Sequence, residues 1–199
     1  MTRLLVLLLL CCAISAAAPV ILHNNFGPAN TFDPAYFFAL GWGSGLAMPF
    51  VPETTAWLSS VQLGLTLGST PAFLNLTVAV DNDGLPGTAL ESWVLTDASF
   101  SGPVVLAASA LHPELNEGTT YWVTLMPTNI STYVEWGTTL EHIFGDQAAW
   151  DHVGQEWFYS YSPLAAFRVD GNDTAPEPAT FAVAAVALAG LAIRRRRVD

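Results

Sequence analysis

The stretch SSVQLGLTLGSTPAFLNLTVAVDNDG, residues 59–84, decides the fold class. In its first half Val61, Leu63, Leu65 and Leu67 alternate with Gln62, Gly64 and Thr66. In its second half Leu74, Leu76, Val78 and Val80 alternate with Asn75, Thr77 and Ala79. Successive side chains of an extended chain point to opposite faces, so this alternation gathers the apolar groups on one side. A helix would need a period of about 3.6. Two half-buried strands follow, and DNDGLPG, Asp81–Gly87, is a dense turn signal after the second.

Working outward, ESWVLTD, PVVLAAS, TYWVTLM, TYVEWGT, EWFYSYS and AAFRVDG repeat the pattern. Each is short and bounded by Gly, Pro, Asn or Asp. In TYWVTL, Tyr121, Val123 and Leu125 share one face, and Trp122 and Thr124 the other, so Trp122 is expected at the surface. Phe167 and Val169 flank Arg168 in the same way. The Gly-, Pro- and Asn-rich region before residue 50 offers one further strand, Tyr36–Trp42. Residues 20–170 carry no helical stripe and no internal repeat. The expectation is an all-β body over residues 19–171, an antiparallel β-sandwich or jelly roll of eight to ten strands.

The formal net charge is -11, with no lysine and six arginines. Arg3 lies near one end, Arg194, Arg195, Arg196 and Arg197 near the other, and only Arg168 between them. Fifteen acidic residues, from Asp33 to Asp173, share that interval. Such a body has nothing to neutralise phosphates, which argues against a nucleic-acid partner.

The first 18 residues read as a secretory signal peptide: Arg3, an apolar run from Leu4, then small residues to Ala18. Cleavage is expected after Ala16, Ala17 or Ala18. Both cysteines, Cys11 and Cys12, fall inside this signal, so the exported chain has no disulfide and its core must hold it together. Residues 172–178 form a polar, proline-bearing linker with the triplet Pro176-Glu177-Pro178. Ala179–Ile193 is an apolar run of 15 residues, at the short edge for a membrane-spanning helix, which needs about 17–25. Residues 194–199 are a basic tail whose four arginines suit a cytoplasmic stop. The expected architecture is therefore a signal helix, a β-sandwich outside, and a single transmembrane helix.

The last 24 residues resemble the PEP-CTERM sorting signal, with Pro176-Glu177-Pro178, an apolar helix and an arginine cluster in that order. The resemblance implies a Gram-negative bacterium that makes exopolysaccharide. It also implies processing near the triplet by the membrane protease exosortase. The inner membrane would then hold the chain only transiently, before release to the cell surface or the polysaccharide matrix. The body is similar to the choice-of-anchor R type of domain, on NNFGPANTFD (24–33), VDNDGLPG (80–87), LNEGTTYWVTL (115–125) and AAFRVDG (165–171). That likeness implies a β-sandwich and an exported location; such domains share no established activity.

Several groups could carry chemistry. Asp81 and Asp83 before Gly84 form a candidate structural calcium site. Leu85 and Ser92 occupy positions where an EF-hand needs oxygen ligands, so that motif is excluded. The other reading of the same residues is a hairpin turn whose side chains bond their own backbone. Glu141, His142, Asp146, Asp151 and His152 are metal-ligating types in a segment expected to be a solvated loop. His23 and His112 are expected at the surface. GWGSGL, residues 41–46, has its serine out of register for a nucleophile elbow and reads as a glycine turn. Glu135, Glu141 and Glu156 could supply the facing carboxylates of a glycoside hydrolase. Among seven tryptophans, Trp122, Trp136, Trp150 and Trp157 are the candidates for a glycan-stacking platform, with core packing as the other reading. The function expected is a non-enzymatic surface or matrix protein associated with exopolysaccharide. A carbohydrate-binding module and a glycan-active hydrolase are the alternatives.

Overall fold

The computed structural model describes residues 18–174. The expected signal segment before Ala18 and the expected membrane helix at 179–193 lie outside them. Thirteen strands occupy the described residues. They are β1 Pro19–Asn24, β2 Asp33–Leu40, β3 Ser44–Phe50, β4 Ala56–Leu67, β5 Phe73–Asn82, β6 Leu85–Thr96 and β7 Val104–Ala108. Then come β8 Glu114–Leu115, β9 Tyr121–Pro127, β10 Val134–Thr138, β11 Phe144–Asp151, β12 Glu156–Pro163 and β13 Phe167–Asn172. Helical structure among the described residues is confined to single 3-10 turns at Pro28–Asn30 and Asp97–Ser99.

The strands form two sheets in which every strand pairing is antiparallel. A seven-stranded sheet runs β1-β13-β4-β10-β2, with β7 and β8 also paired to β4. A six-stranded sheet runs β12-β11-β3-β9-β5-β6. The alternating stretches are β4 and β5, one in each sheet, and their apolar faces meet. Val61, Leu63, Leu65, Trp136, Phe167 and Val169 come from the first sheet. Met48, Leu74, Leu76, Val78, Val123 and Leu125 come from the second, and none of the twelve is more than 1% exposed. Full burial contributes about 1.5–3 kcal/mol for each large aliphatic side chain, so this cluster supplies what disulfides do not.

The DNDG turn is a two-residue hairpin connection. Asn82 pairs with Leu85, and Asp83 and Gly84 between them have φ of 54° and 83°. Positive φ at both central residues is the type I′ turn, whose twist matches that of the flanking strands.

The count exceeds the eight to ten strands expected, because β1, β3, β8 and β11 carry no clean alternation. The correction that matters is β11. FGDQAAWD has no β-branched residue and was expected within a loop, yet it pairs with β12 on one side and β3 on the other. Strand propensity is largely a matter of fitting a pleated, packed surface. Ala148 fits between Ala47 and Tyr159 because it is small.

The six-stranded sheet is curled. Its two edge strands, β6 and β12, approach within 8 Å between Cα atoms. Leu85 at the start of β6 and Trp157 on β12 both pack on one small cluster, Ala47, Ala79, Trp122 and Ala148. Those residues lie on the face turned away from the main core, so that face is concave.

Candidate functional site

The register builds this concave face strand by strand. Trp157, Tyr159 and Tyr161 alternate along β12 and stand opposite Trp150, Ala148 and Asp146 of β11. Trp150 and Ala148 stand opposite Gly45 and Ala47 of β3. Ala47 faces Thr124 of β9, which faces Thr77 of β5, which faces Ser92 of β6. The middle of the trough is thus floored by glycine, alanine and threonine. Aromatic residues form one wall, and the hydroxyls of Thr77 and Ser92, 3.0 Å apart, lie on the other.

The floor must be small. A Cβ on Gly45 would sit 2.9 Å from both Trp150 Cβ and Met126 Cγ, and 3.3 Å from the far edge of the Trp157 ring. Without one, the Trp157 indole reaches across β11 and meets Trp150 edge-on, with centroids 5.3 Å apart at 68°. Trp157 and Leu85 pack over Ala47, Ala79, Trp122 and Ala148, so the inside of the curl is filled. Its exposed part is the rim on β12, where Tyr159 and Tyr161 are 59% and 62% exposed. The Tyr159 hydroxyl donates to Asp146 Oδ1 at 2.6 Å. That bond, more than burial, holds the phenol pKa above the usual tyrosine range. The Tyr161 ring leans on Phe144, with centroids 6.0 Å apart.

The four candidate tryptophans do not form one surface. Trp136 is in the main core, where its N–H donates to Ala166 O at 2.9 Å. Trp122 does point away from Tyr121 and Val123, but it is only 2% exposed, because the curled sheet covers it. Its expected exposure is corrected: an outward-facing side chain is solvated only where the sheet is open. Trp150 and Trp157 are half-buried. Of all seven, only Trp42, in the β2–β3 turn, is among the exposed hydrophobics. The exposed rings of this face are Tyr159, Tyr161 and Phe144, and the alternation in EWFYSYS was the signal for the two tyrosines.

The candidate metal ligands serve other partners. Asp81 Oδ1 accepts from Trp122 Nε1 at 2.7 Å, and its Oδ2 from the Gly84 N–H at 3.1 Å. Asp83 sits exposed at the hairpin tip. His142 Nε2 meets Asp33 Oδ2 at 2.8 Å, and this bond lowers the Asp33 pKa. Asp151 Oδ1 accepts from the Val153 N–H at 2.9 Å, and His152 lies by Trp42. Glu141 is exposed beside its turn. No three His, Cys, Asp or Glu side chains are grouped to hold a metal among the described residues.

Of the candidate acids, Glu156 pairs across the β11–β12 hairpin with Asp151, at its exposed end. Glu135 accepts from Tyr133 Oη at 3.3 Å on the other sheet. Ser44 closes its glycine turn, donating to Gly41 O at 2.7 Å and accepting the Gly41 N–H at 2.8 Å.

Both histidines expected at the surface are half-buried. His23 stacks on Phe167 at 4.4 Å, and His112 Nδ1 lies 3.0 Å from Leu58 O. Sequence reading also passed over Glu91. It is 4% exposed and accepts from Ser109 Oγ at 2.5 Å and from the N–H groups of Ala110 and Leu111 at 2.6 and 3.2 Å.

Residues 174–197 match the PEP-CTERM protein-sorting motif. The motif marks an exported protein that exosortase sorts and that the membrane anchors transiently. No curated protein matches the sequence. Pro176, Glu177, Pro178 and the cluster Arg194, Arg195, Arg196 and Arg197 all fall within the match and outside the described residues. The last strand, β13, ends at Asn172, two residues before the motif begins.

Proposed function

We propose that this protein is a non-enzymatic structural component of the cell surface or extracellular matrix of a Gram-negative bacterium, associated with exopolysaccharide. The sorting motif at 174–197 supports the reading, because it marks an exported protein that exosortase sorts. The body suits that destination: it is stapled by side-chain hydrogen bonds and packed without disulfides. Glu91, Asp81 and Asp170 all work structurally. Asp170 takes Arg168 at 2.6 Å, Gln62 at 2.9 Å and Ser60 at 3.2 Å. In this reading the protein has no resident cofactor, and the Asp81–Asp83 hairpin holds its shape without calcium.

Fractionation of producing cells tests the proposal. Protein expressed from the full-length chain is expected in the surface and matrix fractions in its processed form, and protein expressed from a chain truncated after Asp173 is expected to be missing from them. Full-length protein retained in the cytoplasm, or a truncated chain distributed like the full one, would overturn it.

A further inference from the structure

We propose that the exposed rim of the curled sheet, at Tyr159 and Tyr161 on the edge strand β12, binds a segment of uncharged polysaccharide. This rests on the matrix reading above and gives it a site. Tyr159 and Tyr161 are separated by one residue on a strand, so their Cα atoms follow one another at about 6.6 Å along β12 and both rings stand on the same side. That spacing is comparable with the length of one hexose unit. A pyranose has an apolar face of C–H bonds and a rim of hydroxyls. The tyrosine rings offer flat apolar area to the first. Asp146, which accepts the Tyr159 hydroxyl, has lone pairs left for the second, since a carboxylate has about four acceptor positions. The hydrogen bond to Asp146 also holds the Tyr159 ring in place before a ligand arrives, which lowers the entropy lost on binding.

Charge selects the occupant. Among the described residues Arg168 is the one arginine or lysine, and it lies on the other sheet, bound to Asp170. A uronic-acid or sulfated polymer would meet Asp146 with no counter-charge. A second copy of this chain would bring the same acidic face, from a molecule of formal charge -11. A neutral, hydroxyl-rich chain meets neither penalty.

Protein secreted from the full-length chain can be run in native gels containing a neutral glucan, a neutral mannan, the producer's own polysaccharide or alginate. Retardation is expected in at least one neutral gel and not in alginate. The paired substitution Tyr159→Ala and Tyr161→Ala is expected to weaken it at least tenfold while leaving the melting transition in place, since both rings are largely solvent-exposed. Asp146→Asn gives a smaller loss. No retardation in any neutral gel, retardation in alginate alone, or equal retardation of the double variant would overturn the site. The matrix fraction of the same cultures separates the two readings. Wild type and double variant retained there equally would sink the site and leave the matrix role standing. Wild type missing from the matrix while it still binds a neutral gel would sink the matrix role and leave the site.

Discussion

Trp122 on β9 and Asp81 at the end of β5 are joined by a 2.7 Å hydrogen bond from indole Nε1 to Oδ1. Asp81 also caps the hairpin turn through Gly84, so one carboxylate ties the tip of β5–β6 to the floor of the curled sheet. Replacing it by alanine leaves the N–H of a ring that is 2% exposed without its acceptor. Asp81→Ala is expected to lower stability by about 1–3 kcal/mol in urea unfolding, and Asp81→Asn, which keeps a carbonyl oxygen, by less. Equal loss in both variants would contradict the role of the bond. Because Asp81 is bonded to Trp122 and Gly84 and no three metal-ligating side chains are grouped among the described residues, melting curves in calcium and in EDTA are expected to superimpose. A transition shifted by calcium would show that a cation competes for Asp81.

Glu91 holds the connection that follows β7 to the edge strand β6 through three hydrogen bonds. Charge-assisted bonds of this kind are stronger than neutral ones, and buried donors left unpaired are costly. Glu91→Ala is expected to cost about 3 kcal/mol in urea unfolding. A loss below about 0.5 kcal/mol, the range of ordinary surface changes, would contradict the staple.

His23 sets a pH dependence. Packed against Phe167 and Phe50, it has its imidazole pKa lowered by burial to about 4. The unfolded chain, with a histidine pKa near 6.5, binds this proton first. The stabilisation is therefore complete above about pH 6.5 and is lost as pH falls toward 4, about 3 kcal/mol in total. Asp33, whose pKa is lowered by His142, acts below that window, from its ordinary value of 3.8 downward. Urea midpoints measured from pH 7 to 4.5 are expected to fall more steeply for wild type than for His23→Phe. Parallel slopes would contradict the assignment.

Gly45 is where the trough tolerates no side chain. Gly45→Ala forces Trp150, Met126 or Trp157 to move, and overpacking of this kind costs about 1–3 kcal/mol. The edge-on Trp150–Trp157 pair should also lose its coupled near-ultraviolet circular dichroism. An unchanged spectrum with unchanged stability would mean that the indole does not lie over β3.

The main core was readable from residues 59–84, because a strict period of two leaves one way to bury Val61, Leu63, Leu74 and Leu76. The turn after them was readable because Asp-Gly supplies the positive φ that it needs. β11 was hidden because Gly145, Ala148 and Ala149 carry no strand signature; they matter for what they allow their neighbours to do. The trough was hidden for a related reason. Alternation says which face Trp122 takes, and it does not say that β6 and β12 curl toward each other and cover that face. Tyr159 and Tyr161 were visible in the alternation of EWFYSYS, which puts both on one face of β12, but alternation does not say that this edge strand leaves them exposed while Trp122 is covered.

The sorting of this chain is tested most directly at its C-terminus. Intact-mass and peptide mass spectrometry of the secreted protein should find a chain that ends near Pro178 and yields no peptide from Arg194–Arg197. Arginine-cluster peptides in the secreted form would contradict cleavage at the motif, and with it the role of the tail as a transient membrane hold.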